Sequence, residues 1–281
     1  RDTAYNQYQE SLKIRRRLLE TLGETPETLR DLSVSLEYLG QQENVLGRRE
    51  AAYKLYQESL KIRRRLLESL GETPETLRDL SVSLNKMGQQ ENALGRTEAA
   101  YKQYQEGLII HRRLLESLGE TPETLRDLSV SLEYVGQQEN MLGGAEAAYK
   151  LYQESLKIRR RLLETLGETP ETLRDLSVSL DNVGKQENAL RRREAAYELY
   201  QEGLKIRRRL LDSLGETPEI LRDLSVSLNN VAQIEHALKL KEKAQEHFEQ
   251  CLILLKRLHA VFPNDKEYLN MISQIENSLS K

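Results

Sequence analysis

The sequence predicts an all-α protein built from five antiparallel helix pairs that stack one after another. One segment, GETPETLRDLSVSL, recurs every 48 residues with a single change, which is Ile220. Apolar residues between the copies repeat with a helical period, and glycine and proline are scarce outside the turns. The copies begin at Gly23, Gly71, Gly119, Gly167 and Gly215. An internal period of this length indicates supersecondary units stacked in an array rather than separate compact domains.

The first helix of each unit is predicted to begin at its proline. Thr25 can cap this helix, Pro26 occupies the first turn, where a missing N–H costs nothing, and Glu27 complements the positive end of the helix dipole. An apolar stripe then continues at spacings of three, four and seven residues until Gly47 ends the helix. The stripe consists of Leu29, Leu32, Leu36, Leu39 and Leu46.

The second helix of each unit is predicted to begin near Arg48. Its apolar positions include Ala52, Tyr56 and Leu60, and it ends at Gly71, which we expect to form a left-handed cap. Each helix then has about 21 to 23 residues and a length of roughly 33 Å.

The whole chain, 1–281, is predicted to form one repeat domain with twelve helices and no strands. Residues 1–22 form the second helix of a preceding unit, and 263–281 contain a helix that covers the last apolar face. The five repeats between them are 23–70, 71–118, 119–166, 167–214 and 215–262. Because the chain starts at Arg1 inside a repeat, we interpret it as part of a longer protein.

Composition argues against several classes of function. Acidic residues (45) slightly outnumber basic ones (42), and the net charge of −3 leaves no electrostatic footprint for nucleic acid or an anionic membrane. Cys251 is the single cysteine, which rules out an internal disulfide and fits a reducing compartment, so we predict a cytoplasmic location. No apolar run approaches the roughly 20 residues of a membrane span.

Seven positions of each unit carry a resemblance to a known family. In the first unit they are Leu36, Leu39, Gly40, Leu46, Gly47, Ala52 and Tyr56. This pattern resembles the tetratricopeptide repeat, in which small residues let paired helices approach and an aromatic residue fills the gap between units. The period of 48 residues exceeds the usual length of about 34, and Glu43 stands where that family has an aromatic residue. The nearest resemblance is to long-repeat variants such as kinesin light chains and bacterial signalling proteins.

The resemblance implies a right-handed α-solenoid whose first helices line an inner groove for an extended or helical peptide. On a helix wheel, the side of the first helix opposite its apolar stripe carries residues that differ between the copies. Asn182 and Asn230 fall where kinesin-light-chain-like members place asparagines that pair with a ligand's backbone. The candidate groove residues are Val34, Glu37, Tyr38, Gln41, Asn85, Lys86, Val130, Glu133, Tyr134, Met141, Val178, Asp181, Asn182, Asn229 and Asn230. The alternative is a solvated face whose residues vary because nothing constrains them.

Charged residues recur at fixed places in the repeat. The Arg30 series can hold an acidic ligand, but we favour a pair with Glu27 within the same helix. Two series lie inside apolar stripes and must be paired. We expect the Glu43 series to accept hydrogen bonds from Tyr5 or Tyr53, and the Arg63 series, in which His111 replaces one arginine, to meet Asp31 or Asp79.

The arginine runs that begin at Arg15, Arg63, Arg159 and Arg207 form a basic ladder along the repeats. A ladder of this kind can follow a phosphate backbone. However, consecutive arginines point around the helix, and the Glu20 series follows within reach as partners. We therefore consider nucleic-acid binding unlikely.

No pattern of catalytic or metal-binding residues recurs in the chain. The four histidines lack metal-ligand spacing, and neither a phosphate-binding loop nor a nucleophile motif occurs, so we predict no enzyme activity and no cofactor. The leading hypothesis is a scaffold that binds a protein or peptide segment in its inner groove. The alternatives are a spacer or self-association module of a larger signalling protein, and an engineered or duplicated stack without a dedicated ligand.

Overall fold

A computed structural model describes residues 2–279, with side chains from Ala4 onward. Arg1, Ser280 and Lys281, which belong to the predicted leading and capping segments, lie outside the described residues. The described part contains twelve helices and no strand, as predicted. The helices are α1 (Asp2–Leu22), α2 (Pro26–Val45), α3 (Arg49–Leu70), α4 (Pro74–Ala93), α5 (Thr97–Leu118), α6 (Pro122–Met141), α7 (Ala145–Leu166), α8 (Pro170–Ala189), α9 (Arg193–Leu214), α10 (Pro218–Ala237), α11 (Lys241–Val261) and α12 (Lys266–Leu279).

The first helices start as the prolines predict. The Thr25 hydroxyl accepts a hydrogen bond from the Thr28 backbone N–H at 3.1 Å, and the Thr28 hydroxyl in turn accepts one from the Thr25 backbone N–H at 2.9 Å. This reciprocal pair is a capping box with threonine in place of the usual glutamate. In the fifth repeat Ile220 replaces that threonine, so only the Thr217 half of the box is present there.

The glycine after the second helices α1, α3, α5, α7 and α9 differs from the predicted left-handed cap. Gly71 has φ 80° and ψ 177°, a combination of positive φ and extended ψ that is open essentially only to glycine. The turn inside each pair also has positive φ, with Gly47 at 74°. Arg191 and Lys239 occupy that position in the last two repeats with φ 62° and 65°, although a side chain is strained there.

The described residues fall into two compact units, one within Arg1–Gly144 and the other within Ala145–Lys281. In the first unit each helix from α1 to α6 packs on the next along the chain. In the second unit the same holds from α7 to α12. Each unit therefore has the layered order expected of stacked helix pairs.

Close approach within a pair depends on a glycine that faces an aromatic ring. A Cβ atom on Gly88 would lie 2.7 Å from the Tyr104 ring, and one on Gly184 would lie 2.7 Å from the Tyr200 ring. These contacts explain why the position is glycine in four of the five units. The prediction that Leu46 is buried is wrong: this residue lies past the end of α2, where 38% of it is exposed.

Candidate functional site

One face of each first helix is open to solvent and largely uncharged. On α2 it carries Val34, Tyr38, Gln41 and Val45, whose spacing of four, three and four keeps them on one side. We call this set and its counterparts on the other first helices the open stripe. Tyr38 is 48% exposed and Val45 is 60% exposed, which is unusual for large apolar side chains at neighbouring positions.

In the unit within residues 1–144, the open stripe continues on α4 and α6. Val82 and Met141 are exposed, whereas Lys86, Val130 and Tyr134 are half-buried. In the unit within residues 145–281, it is present on α8 and α10, where Val178 is exposed and the amides Asn182 and Asn230 are half-buried. The amide nitrogen of Asn230 is covered and has no hydrogen-bond partner among the described residues.

The prediction that Glu37 and Asp181 face outward is wrong. Glu37 is only 6% exposed, and its Oε1 accepts hydrogen bonds from the hydroxyls of Ser59 at 2.9 Å and Ser83 at 2.6 Å. Its Oε2 accepts a charge-assisted bond from Lys86 at 2.9 Å. Adjacent residues of a helix are rotated by about 100° around its axis. Glu37 therefore points at α3 and at α4 of the next repeat, whereas Tyr38 points to solvent.

Asp181, at 4% exposure, has an equivalent environment. It forms an ion pair with Arg207 at 2.7 Å, and its Oδ1 lies 3.6 Å from where a Cβ atom on Gly203 would be. Asn85 faces Gly107 in the same way. Sequence variation at this position of the repeat therefore follows internal packing. The other two residues at the equivalent position, Glu133 and Asn229, are half-buried.

Two tyrosines of the open stripe stack on tyrosines of second helices. The rings of Tyr38 and Tyr8 have centroids 5.5 Å apart and an interplanar angle of 15°. The rings of Tyr134 and Tyr104 are 4.9 Å apart at 18°, and Gln89 Nε2 donates a hydrogen bond to the Tyr134 hydroxyl at 3.1 Å. The sequence analysis did not predict these pairs, because they join different helices whose contact depends on stacking.

The favoured pair between Arg30 and Glu27 is also wrong. Arg30 reaches the following unit, where it contacts Glu75 at 3.1 Å and Asp79 at 3.2 Å. Arg78 contacts Glu123 at 2.8 Å in the same manner. The reason is tertiary. Stacking brings the acidic first turn of α4 closer to the Arg30 guanidinium than Glu27, which lies one turn earlier on the same helix.

The prediction for the Glu43 series is confirmed. The Tyr5 hydroxyl donates to Glu43 at 2.7 Å, and Tyr197 donates to Glu235 at 3.2 Å. The hydrogen bond to Glu139, followed by burial, raises the pKa of Tyr101 to about 12. Each of these hydrogen bonds offsets the free-energy cost of placing a carboxylate among apolar side chains.

The Arg63 series is paired as predicted, with two exceptions, which are Arg207 and His111. Arg15 contacts Asp31, Arg63 contacts Asp79, and Arg159 contacts Asp175. Arg207 instead forms its ion pair with Asp181, because the short Asp181 opposite Gly203 brings a carboxylate into reach.

On α5, His111 stands where the other second helices have the arginine of this series. It is buried, and its Nδ1 lies 2.5 Å from the Ser131 hydroxyl oxygen. Burial, with a smaller contribution from Arg78, lowers the pKa of His111 to about 4. The pKa of Asp127, the carboxyl equivalent to Asp79, is raised by burial and then by Glu123. The imidazole is therefore neutral near pH 7. His111 and Asp127 consequently do not form the ion pair that Arg63 and Asp79, or Arg159 and Asp175, form in other repeats.

Several arginines of the basic ladder form ion pairs, though with residues other than the predicted Glu20 series. Arg16 contacts Glu58 at 2.9 Å on the next second helix, and Arg64 contacts Glu106 at 2.6 Å. Arg113 contacts Glu72 at 2.9 Å in a turn. Neighbouring second helices lie side by side, so these contacts run between helices rather than along one.

Two other kinds of site are absent from the described residues. Between residues 2 and 279, no helix is both long and apolar enough to cross a membrane. Over the same span, His, Cys, Asp and Glu form no group of three suited to a metal ion.

Comparison with solved structures identifies the architecture. BtubC (BKLC) from P. vanneervenii has a TM-score of 0.70 at 18% identity over 94% of this chain and 92% of its own. A putative kinesin light chain from Podosopora anserina with nearly identical TPR-like repeats has a TM-score of 0.59 at 19% identity, over 86% of this chain and 100% of its own. The chain has the TPR-like repeat fold. The apo form of RapI is also similar, with a TM-score of 0.62 at 15% identity over 88% of this chain and 83% of its own.

The sequence comparisons add no closer relative to this TPR-like chain. No family model matches it, and no curated protein matches it.

Proposed function

We propose that this TPR-like chain is a scaffold that binds a protein or peptide segment along the open stripes of its first helices. The exposed apolar stripe is the observation that carries the proposal, because Tyr38, Val45, Val82 and Met141 offer apolar surface to solvent on the same side of the first helices α2, α4 and α6. Large apolar patches of this kind are typical of interaction sites.

Two kinds of contact are proposed. Apolar anchoring comes from Val34, Tyr38, Val130, Tyr134, Met141 and Val178. Backbone pairing comes from Asn182 and Asn230, since an amide donates and accepts at once. Asn229 is left out because it lies at the internally packed position of Glu37 and Asp181. Glu37 and Asp181 are left out of this set because their carboxylates are already bonded inside the stack.

A peptide-display selection against the purified chain tests the proposal. Affinities of the selected peptides are then measured for Tyr134→Ala, Asn182→Ala and a matched control, Ile109→Ala. Ile109 is 54% exposed but lies on a second helix, so its removal changes apolar surface away from the open stripe. We expect Tyr134→Ala to weaken, about tenfold, peptides bound by the unit within residues 1–144, and Asn182→Ala those bound by the unit within residues 145–281. Helicity should be unchanged, and the control should bind like the parent.

The rival functions predict other outcomes. A chain that binds no peptide, or binds equally well in all three variants, is not a groove scaffold. A mass that increases with concentration, without any selected peptide, indicates self-association. Either result contradicts the proposal.

A further inference from the structure

We infer that the open stripe of the unit within residues 1–144 accepts an uncharged, proline-rich segment in the polyproline II conformation. This inference rests on the proposed function and names the class of its ligand. It comes from three features of that unit: its paired charges, its stacked tyrosines and its hydrogen-bond donors.

The charged residues of this stripe are already paired. Arg30 is bonded to Glu75 and Asp79, Arg78 to Glu123, and Lys86 to Glu37. Arg126 is not free either. An acidic ligand would have to compete with these carboxylates, and taking Lys86 would leave the buried Glu37 without its cation, which is costly. A basic ligand would likewise have to compete with Arg30 for Glu75 or with Arg78 for Glu123, so the surface selects against charge of either sign.

The two tyrosine pairs provide flat apolar rings at equivalent places. Tyr38 lies on Tyr8 and Tyr134 lies on Tyr104, so each outer ring is held in position by the ring beneath it. Aromatic rings held in this way are what grooves that bind proline-rich segments use, because the preformed polyproline II helix loses little entropy on binding.

The polar groups of the stripe also suit such a ligand. Proline has no N–H, so a proline-rich segment presents mainly carbonyl acceptors. The stripe carries the exposed amides Gln41, Gln89 and Gln137, which can donate. Gln89 uses one of its two amide hydrogens for the Tyr134 hydroxyl and keeps the other for a ligand. Residues 2–144 contain no strand, so edge pairing with an extended β-segment is not available there.

The spacing defines the ligand further. Successive first helices are near neighbours, since Ser83 on α4 donates a hydrogen bond to Glu37 on α2 at 2.6 Å. At about 10 Å per repeat, Tyr38 and Tyr134, which lie two repeats apart, are separated by on the order of 20 Å. A polyproline II helix advances about 3.1 Å per residue with three residues per turn. Two prolines six residues apart therefore lie on one face at about 19 Å and can cover both tyrosines.

The test uses labelled synthetic peptides and fluorescence anisotropy with the full chain. The first peptide is uncharged and proline-rich, with two prolines six residues apart; the second has alanine at those two positions; the third is acidic. We expect the first to bind at least tenfold more tightly than the others, with a dissociation constant that does not change from low to high salt. Tyr38→Ala and Tyr134→Ala should each weaken it about tenfold, Tyr38→Phe should retain binding, and Ile109→Ala should have no effect.

The outcomes separate this inference from the proposed function. Tight, salt-sensitive binding of the acidic peptide that is lost in Tyr134→Ala would overturn the proline-rich ligand and leave the scaffold function intact. Binding of none of these peptides, together with an empty display selection, would overturn both. The comparison between the proline-rich peptide and its alanine-substituted version uses only the parent protein. Equal affinity for these two peptides would therefore contradict the inference even if Tyr134→Ala misfolds.

Discussion

Adjacent residues on one first helix have opposite environments. Tyr38 is open to solvent, whereas Glu37 is bonded to two serines and a lysine inside the stack. Residues at equivalent positions of different repeats also differ in chemistry: Arg63 and Arg159 are charged and paired, and His111 is neutral. The side chains packed around a position therefore decide its role more than its place in the repeat.

His111 makes the stability of the fold sensitive to acid. Its folded pKa of about 4 is below the ordinary value of 6.5, so the unfolded chain binds the proton more readily and stability falls as the pH drops from 6.5 towards 4. The shift corresponds to a loss on the order of 3 kcal/mol across that window. We expect His111→Arg to remove this part of the acid dependence and to lower the pKa of Asp127.

Urea unfolding at a series of pH values, with NMR titration of Asp127, measures both effects. The reverse change, Arg159→His, is the matched control in the other unit and should introduce acid sensitivity. An unchanged slope between pH 6.5 and 4 in His111→Arg would show that the imidazole is not the source.

At the scale of helices, the repeat is specified by a few local devices. Threonine and proline start each first helix, glycine turns end the helices, and a glycine facing an aromatic ring sets the distance between paired helices. The helix bounds were predictable to within one or two residues for this reason. The pairs Arg30–Glu75 and Arg16–Glu58 were not predictable, because they join residues more than 40 positions apart whose separation depends on stacking.

Two alanine substitutions in the second unit separate packing from helix propensity. In Gly184→Ala the new Cβ would be 2.7 Å from the Tyr200 ring, so overpacking should lower the unfolding free energy by about 1–3 kcal/mol. In Gly203→Ala the nearest atom is 3.6 Å away, and the better helix propensity of alanine should stabilise by up to about 1 kcal/mol. Denaturant midpoints compare the two; equal effects would mean that the helices adjust their spacing freely.

At the scale of the molecule, the same bonds recur in both compact units. Tyrosine hydroxyls donate to the carboxylates of Glu43 and the half-buried Glu139 in one unit, and to those of Glu187 and Glu235 in the other. Ion pairs also join successive repeats in each unit, as between Arg78 and Glu123 and between Arg174 and Glu219. The organisation of 1–281 as one domain stays a prediction.

The tyrosine bonds predict a loss of stability in alkali. The folded pKa of Tyr101, about 12, exceeds the ordinary value of 10, so its contribution is complete below pH 10 and is lost as the pH rises towards 12. We expect Tyr101→Phe to lower the unfolding free energy at pH 7 by about 1–2 kcal/mol and to make the alkaline decline shallower. Thermal unfolding between pH 8 and about 12 measures this, with Tyr38→Phe as a control for a hydroxyl on the open stripe; parallel curves for Tyr101→Phe and the parent would contradict it.

The sequence by itself determined the period, the twelve helices, their capping residues and the pairing of buried Glu43 with Tyr5, because each depends on local propensity or on the need to satisfy a buried charge. Only the tertiary structure decided which variable residues face solvent. Glu37 and Tyr38 are neighbours in a helix, and the position of the following unit, which local sequence does not encode, buries one and exposes the other. The same stacking decided that Arg30 and Arg78 bind carboxylates of the next repeat, which leaves an open stripe of apolar and amide groups for a ligand.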